Sequence, residues 1–514
     1  MSGDKRENIS YTSSSSSLDP QPFNQDNASN IQVPIEINKN DAKNDDYDDN
    51  GGGSLMRTIS EYNEMTVTSG EAIKLETEHE KDIEEGIKPK GPPPRYPFFS
   101  IENKNLRYSV LKQYAFIMIG LWAFILGVWS IYWGSMFRRD ERLINLSILV
   151  NLEDDMSAPI SQALQLSTYN NRMSISASWK FTSGLSEDEI IKTIHDQDYW
   201  AAIYVTKNNI SDILIDGFQN GNDVNTTNFV HSFYETGRDP NTMEGIIEPT
   251  LYLFQSYFQH NLQSYSYPSI IKNLSTDQFL SLQNTSLLTS YPIIQYTDGT
   301  KVDPVTNGPL QVGLIYIIII TFFEVMWMTQ LYGTVAKNAI TRDYILFRLI
   351  LSQINYLLIS LAFTCLNAAF QINMNATWNG GFGVLWMVSF LTMSAVGGAN
   401  QNVSLILFAI LPPLMGYWLL FFVMINISAT FAPIPLCPEF YRFTYAMPIK
   451  NAYELMKVIL FNTSHRAVGR CFGILVAWIA LNNALLPLCM AFFATVTKKK
   501  IMAAAKAELE KKGN

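Results

Sequence analysis

The sequence predicts a membrane α-helical bundle of six transmembrane helices, with an extracellular α/β domain inserted between helices 1 and 2. Three observations carry this. One apolar segment, 114–133, stands alone after a polar, acidic stretch. A long polar region, 140–309, follows it and holds five Asn-x-Ser/Thr sequons. Beyond that the chain turns apolar, with five further spans before a lysine-rich end.

Residues 1–95 lack apolar periodicity. They combine a serine run at 13–17, the acids Asp45, Asp46, Asp48 and Asp49, three glycines at 51–53 and three prolines at 92–94. Such a composition buries too little apolar surface to offset its ordering entropy, so a disordered cytosolic tail is expected. Arg57, three positions before Ser60, makes Ser60 a candidate site for a basophilic kinase; a chance match is the competing reading. The net charge of −9 comes largely from tail and mid-chain carboxylates and gives no reason to expect a nucleic-acid partner. Met1 opens onto polar sequence rather than a signal peptide, so segment 114–133 is expected to act as the insertion signal and remain as a helix.

Twenty residues at 1.5 Å per residue cross a hydrocarbon core of ~30 Å. Lys88, Lys90, Arg95, Lys104, Arg107 and Lys112 flank the N-terminal side of this helix, against Arg138, Arg139 and Arg142 beyond it. The positive-inside rule therefore places the N-terminus in the cytosol. The sequons at Asn145, Asn209, Asn225, Asn273 and Asn284 agree, because N-glycans are added outside the cytosol.

Within 140–309, residues 146–150 read as a strand, 174–179 alternate with period two, and 200–205 read as a further strand. Ser186 to Glu189 forms a capping box before Ile190, Ile191 and Ile194, and 243–262 returns to a helical pattern. Alternating strands and helices suggest a packed sheet-and-helix domain. The bundle at 310–495 is expected to have spans at 310–331, 344–366, 382–395, 405–425 and 471–495. Six crossings return a basic tail, 496–514, to the cytosol. One feature opposes the charge rule: the loop 426–470 is external by this count, yet carries Arg442, Lys450, Lys457, Arg466 and Arg470.

No phosphate-binding loop, His-Glu-x-x-His motif or Gly-x-Ser-x-Gly elbow is present, so neither enzyme chemistry nor a cofactor or metal is expected. Glu324 is the acid inside a span. Such residues face the bundle and take a partner, and Arg348 on the next span is the simplest candidate. A structural pair and a proton or substrate path both fit. Pro412 and Pro413 interrupt the fifth span, and 397–402 reads as a tight polar link before it. Of four cysteines the first is Cys365, so region 140–309 has no disulfides of its own; Cys437 and Cys471 either pair or stay as thiols.

Segment 427–454 is aromatic and repeatedly broken by proline, with Pro433, Pro435, Pro438, Tyr445, Pro448 and Tyr453 along it, and is expected to be re-entrant or interfacial. In this stretch the chain resembles permease subunits of the ABC-2 type. More narrowly, residues 146–154, 198–205 and this segment resemble the fungal nitrosoguanidine-resistance family, over roughly 106–500 of the chain. That resemblance implies a plasma-membrane protein that helps cells tolerate toxic compounds such as nitrosoguanidine, by transport of amphipathic small molecules or lipids. It brings no catalytic residues. A non-transporting organiser, acting through partners of its outer domain and tail, is the alternative. Membrane lipids are the expected partners in either case, with self-association or regulatory proteins at the tail.

Overall fold

Helix α1 (Lys104–Met136) opens the computed structural model, which describes residues 96–512, all within one unit, Gly51–Asn514. The tail 1–95, with Ser60, lies outside the described residues. The first 21 residues of α1 have no buried side chain, as suits a helix surrounded by lipid. Its far end is held: the Phe124 and Tyr417 rings stand 4.8 Å apart, and the Tyr441 hydroxyl donates to the Ile131 carbonyl at 2.6 Å.

Five strands then form one sheet: β1 (Ser147–Leu152), β2 (Ser178–Ser183), β3 (Ala201–Val205), β4 (Val230–Tyr234) and β5 (Ile294–Asp298), in the order β2-β1-β3-β4-β5. Neighbours run parallel except β3 and β4. Helices α2 (Pro159–Thr168), α3 (Glu187–His195), α4 (Ile210–Asn220) and α5 (Glu248–Asn261) cover it. Ile148, Val150, Ala201 and Ile203 pack with Leu164, Leu214 and Phe254 of α2, α4 and α5. Leu149, Ala202 and Tyr204 face the other way, onto Ile190 and Ile194 of α3. Central parallel strands are buried on both faces, which is why β1 and β3 read as near-continuous apolar runs. The capping box is present, with Ser186 and Glu189 exchanging backbone bonds at the start of α3.

The period-two stretch at 174–179 is not one strand. Its first half is a helical turn, Asn171–Ser176, and β2 starts only at Ser178. Asn170 caps that turn by accepting from the Arg172 N–H, and the Ser174 and Ser176 hydroxyls return to carbonyls three residues back. Local side-chain bonding of this kind outweighs alternation.

The bundle consists of α6 (Leu314–Asn338), α7 (Thr341–Ala369), α8 (Gly381–Ile410), α9 (Met415–Ile427), α10 (Pro448–Phe461) and α11 (Val468–Lys512). Among the described residues five helices are long and apolar enough to cross a membrane, and α9 belongs to a shorter apolar stretch, Pro412–Ile427. Thirteen residues of α9 span about 20 Å, short of a ~30 Å core.

Two boundaries differ most from the sequence reading. The polar stretch 397–402 is no link: α8 runs unbroken through it, and the chain turns at Leu411 and Pro412 instead. Asn400 donates to the Ile318 carbonyl and to Thr321 Oγ1, each at 3.2 Å, and Asn402 to the Asn482 carbonyl at 2.9 Å. Neighbouring helices thus satisfy the polar side chains, and the helix satisfies its own backbone. Proline, lacking an N–H, makes the actual break. Likewise α11 does not end near 495 but continues as helix to Lys512, through alanines, lysines and glutamates of high helix propensity.

Candidate functional site: a basic cavity in an apolar bundle

Between the joined ends of α6 and α7 and the facing ends of α8 and α11 lies a cavity of about 1400 Å³. Val325, Leu405, Phe408, Pro487 and Met490 give it apolar walls, and Lys337, Arg348 and Lys500 give it positive charge. No carboxylate is among the described residues that line it. Leu411 and Pro412, where the chain leaves α8, form part of the rim.

Arg348 is 6% exposed. Its guanidinium lies 4.5 Å from the centre of the Tyr332 ring, and Nη1 donates to the Tyr344 hydroxyl at 3.3 Å. Glu324, 3% exposed, instead accepts from Asn355 Nδ2 at 2.6 Å. The Glu324–Arg348 ion pair expected from the sequence is therefore replaced by two neutral partnerships. Hairpin register explains the difference. Glu324 stands fourteen residues before the end of α6 and Asn355 fourteen into α7, whereas Arg348 is only seven in. Two turns, about 10 Å along the axis, separate the arginine from the level of the acid.

Above the cavity a polar seam crosses the bundle. Ser394 donates to Gln353 Oε1 at 2.9 Å, Trp418 Nε1 to Asn400 Oδ1 at 3.0 Å, and Asn482 Nδ2 to the Ala395 carbonyl at 2.8 Å. Gly397 and Gly398 make room for Tyr356 and Asn482 against α8. The signal for this seam was visible as the Gly- and Asn-rich run at 397–402, although its polarity reads as a loop.

The basic residues that oppose the charge rule are partnered. Lys450 and Lys457 flank Glu454 at 3.2 and 2.8 Å, and Lys457 also donates to the Arg238 carbonyl at 2.7 Å, tying α10 to the α/β domain. Burial alone would raise the Glu454 carboxyl, but Lys457 and Lys450 outweigh it and hold it down, to about 2. Arg238 stacks 3.8 Å over the Trp200 ring and donates to the Tyr199 and Gln197 carbonyls. Arg466 meets Asp198 at 2.6 Å and Asp196 at 3.1 Å. Arg442 pairs with Glu439, and Arg470 lies 5.0 Å over the Tyr445 ring.

Segment 427–454 consists of short 3₁₀ turns leading into α10. Pro433 precedes the turn Ile434–Leu436, Pro435 lies inside it, and Pro438 precedes the turn Glu439–Ala446. Pro448 is the first residue of α10, where a missing N–H costs nothing, and Asn426 Oδ1 accepts from the Ile449 N–H. Tyr453 is fully buried beneath Phe431. Cys437 and Cys471 are free thiols in separate apolar clusters, one beside Tyr441 and the other in the bundle core, so no disulfide joins them. Asn145, Asn209, Asn225 and Asn273 are exposed; the side chain of Asn284 lies outside the described ones. Asn145 also donates to the Pro435 carbonyl at 2.9 Å, near the foot of the domain.

Apolar helices around a partly basic cavity, carrying a separate α/β domain, define a multi-pass membrane protein. The chain belongs to the family described as "Protein of unknown function (DUF3533)", which matches residues 117–484. An uncharacterized endoplasmic reticulum membrane protein of Saccharomyces cerevisiae is similar, 28% identical over 527 aligned positions that cover 96% of this chain and 99% of that protein. No solved structure matches.

Proposed function

We propose that the chain is a permease-like protein that admits amphipathic small molecules or lipids to the bundle cavity and moves them, and so contributes to tolerance of toxic compounds such as nitrosoguanidine. The cavity carries this reading. Protein interiors are close-packed, and ligand sites occupy roughly 300–1,000 Å³. A space of about 1400 Å³, larger than that range, with apolar walls and a few charged groups has room for an amphipath with long apolar chains. Likeness of layout to ABC-2-type permeases and to the nitrosoguanidine-resistance family supports it. Six crossings, α9 being the shortest, an outer α/β domain, an interfacial or re-entrant 427–454 and cytosolic ends belong to the same proposal. Lys337 and Lys500 gather at one end of the bundle with Arg342, Lys498 and Lys499 close by in sequence, as the positive-inside rule requires of a cytosolic face. Plasma-membrane residence is also part of it; the name of the yeast relative gives the endoplasmic reticulum membrane for that protein. With no ATPase motif in the sequence, an ion gradient or a partner chain supplies the energy.

The test is flux of a fluorescent amphipath in vesicles holding the purified chain. Gly333→Trp fills the cavity from a position with open space around its missing Cβ. Expected is flux at least tenfold above empty vesicles, cut to background by the variant at equal protein level. Flux equal to empty vesicles in the unmodified protein overturns transport and leaves the organiser.

A further inference from the structure

Three residues lining the cavity hold buried polar atoms without a hydrogen-bond partner: Arg348 Nε, the Tyr332 hydroxyl and Ser404 Oγ. All three residues are more than nine-tenths buried. Buried polar groups nearly always have partners, so three orphans around one space call for an explanation that joins them. We infer that the cavity is an oxyanion receptor, in which Arg348, Tyr332 and Ser404 bind the phosphate of an anionic amphiphile such as a phospholipid. This rests on the reading of the cavity as an amphipath site and names the class of its ligand.

Charge and geometry agree. Every ionised group in the lining is a cation, and the buried acid Glu324 is engaged by Asn355 rather than by Arg348. The Arg348 guanidinium has five N–H donors and spends one of them on Tyr344. Stacked against Tyr332, its planar fork is pre-oriented for bidentate binding of a phosphate, a task for which arginine is better shaped than lysine. Tyr332 on α6 and Ser404 on α8 carry the two other unpartnered donors among the lining residues. Lys337 and Lys500 add long-range attraction, and basic pockets between membrane helices are a recurrent means of holding lipid headgroups. Leu405, Phe408 and Met490 offer the apolar surface that acyl chains need.

The experiment measures binding to the purified full-length chain in uncharged detergent, with three probes: phosphatidic acid, diacylglycerol of the same chains, and inorganic phosphate. Phosphatidic acid is expected to bind at least tenfold more tightly than diacylglycerol. Arg348→Gln should erase that preference and Arg348→Lys retain part of it. Tyr332→Phe and Ser404→Ala remove single donors and keep the assay informative should Arg348→Gln fail to fold; each should weaken phosphatidic acid three- to tenfold and leave diacylglycerol unchanged. Competition by millimolar inorganic phosphate alone supports the receptor and assigns it to free phosphate. Equal binding of the two lipids, or a preference that survives these substitutions, overturns the inference. Absent flux with the preference intact sinks transport only, whereas flux of uncharged amphipaths without the preference sinks the receptor only.

Discussion

Glu454 shows how much one side chain holds in place. It lies between Lys450 and Lys457 on α10, and Lys457 in turn reaches the Arg238 carbonyl of the α/β domain. Glu454→Gln would leave two lysines buried without a counter-charge, an expected loss of about 3–5 kcal/mol, visible as a lower unfolding temperature of the purified protein. Protonation should imitate the substitution. The folded-state carboxyl is depressed from 4.5 to about 2, so its stabilisation is complete above about 4.5 and drains away as pH falls through the interval to about 2. Unfolding temperatures of the unmodified chain and Glu454→Gln should converge across that interval. A constant gap between them would contradict the ion triad. None of this is legible in the sequence beyond Lys-x₃-Glu-x₂-Lys helical spacing; that Arg238, more than two hundred residues earlier, completes the arrangement follows only from tertiary contact.

At the scale of elements, local rules were readable and partners were not. Capping at Ser186, the buried strands and the apolar spans follow from short-range pattern. Residues 397–402 failed because a hydropathy window registers polarity but not the carbonyls of Ile318 and Asn482 that receive Asn400 and Asn402. The Glu324–Arg348 pairing misses by two helical turns because apolar boundaries in the sequence do not locate the hairpin turn between Asn338 and Thr341, which sets the relative depth of the two residues. Packing of α7 against α8 offers a direct check. A Cβ at Gly397 would stand 2.4 Å from Cζ of the fully buried Tyr356. Gly397→Ala should therefore destabilise the protein by about 1–3 kcal/mol, as overpacking does, with partial recovery in the double variant carrying Tyr356→Leu. Thermal unfolding in detergent measures both, and an unchanged single variant would show that the two helices separate freely at this point.

For the whole molecule, the question is which side of the membrane the α/β domain occupies. Asn145, Asn209, Asn225 and Asn273 are exposed on it, ready to accept glycans if it lies outside the cytosol. Treatment with an N-glycan-removing enzyme should raise gel mobility. Replacing these four and Asn284 by Gln together should produce the faster species without treatment. No mobility change in the unmodified chain would leave orientation resting on charge alone. Charge in the sequence gives a divided signal, because the basic residues of 426–470 oppose it; the structure shows only that they have carboxylate, carbonyl and ring partners.

Helix α11 joins the two ends of the molecule. Arg466, just before it, grips Asp196 and Asp198 of the α/β domain, while Lys500 and Ala503 line the cavity. From Arg470 to Ala503 the helix is about 50 Å long. That length gives it the geometry of a lever: a tilt of about 5° around the domain end would sweep the cavity wall through roughly 4 Å, close to the width of an acyl chain. Pro487 sits on that arm, within the cavity lining, at the place where such a rod bends most easily. A rocking of the α/β domain would thereby be geared up, at the far end, into a change in the width of the cavity.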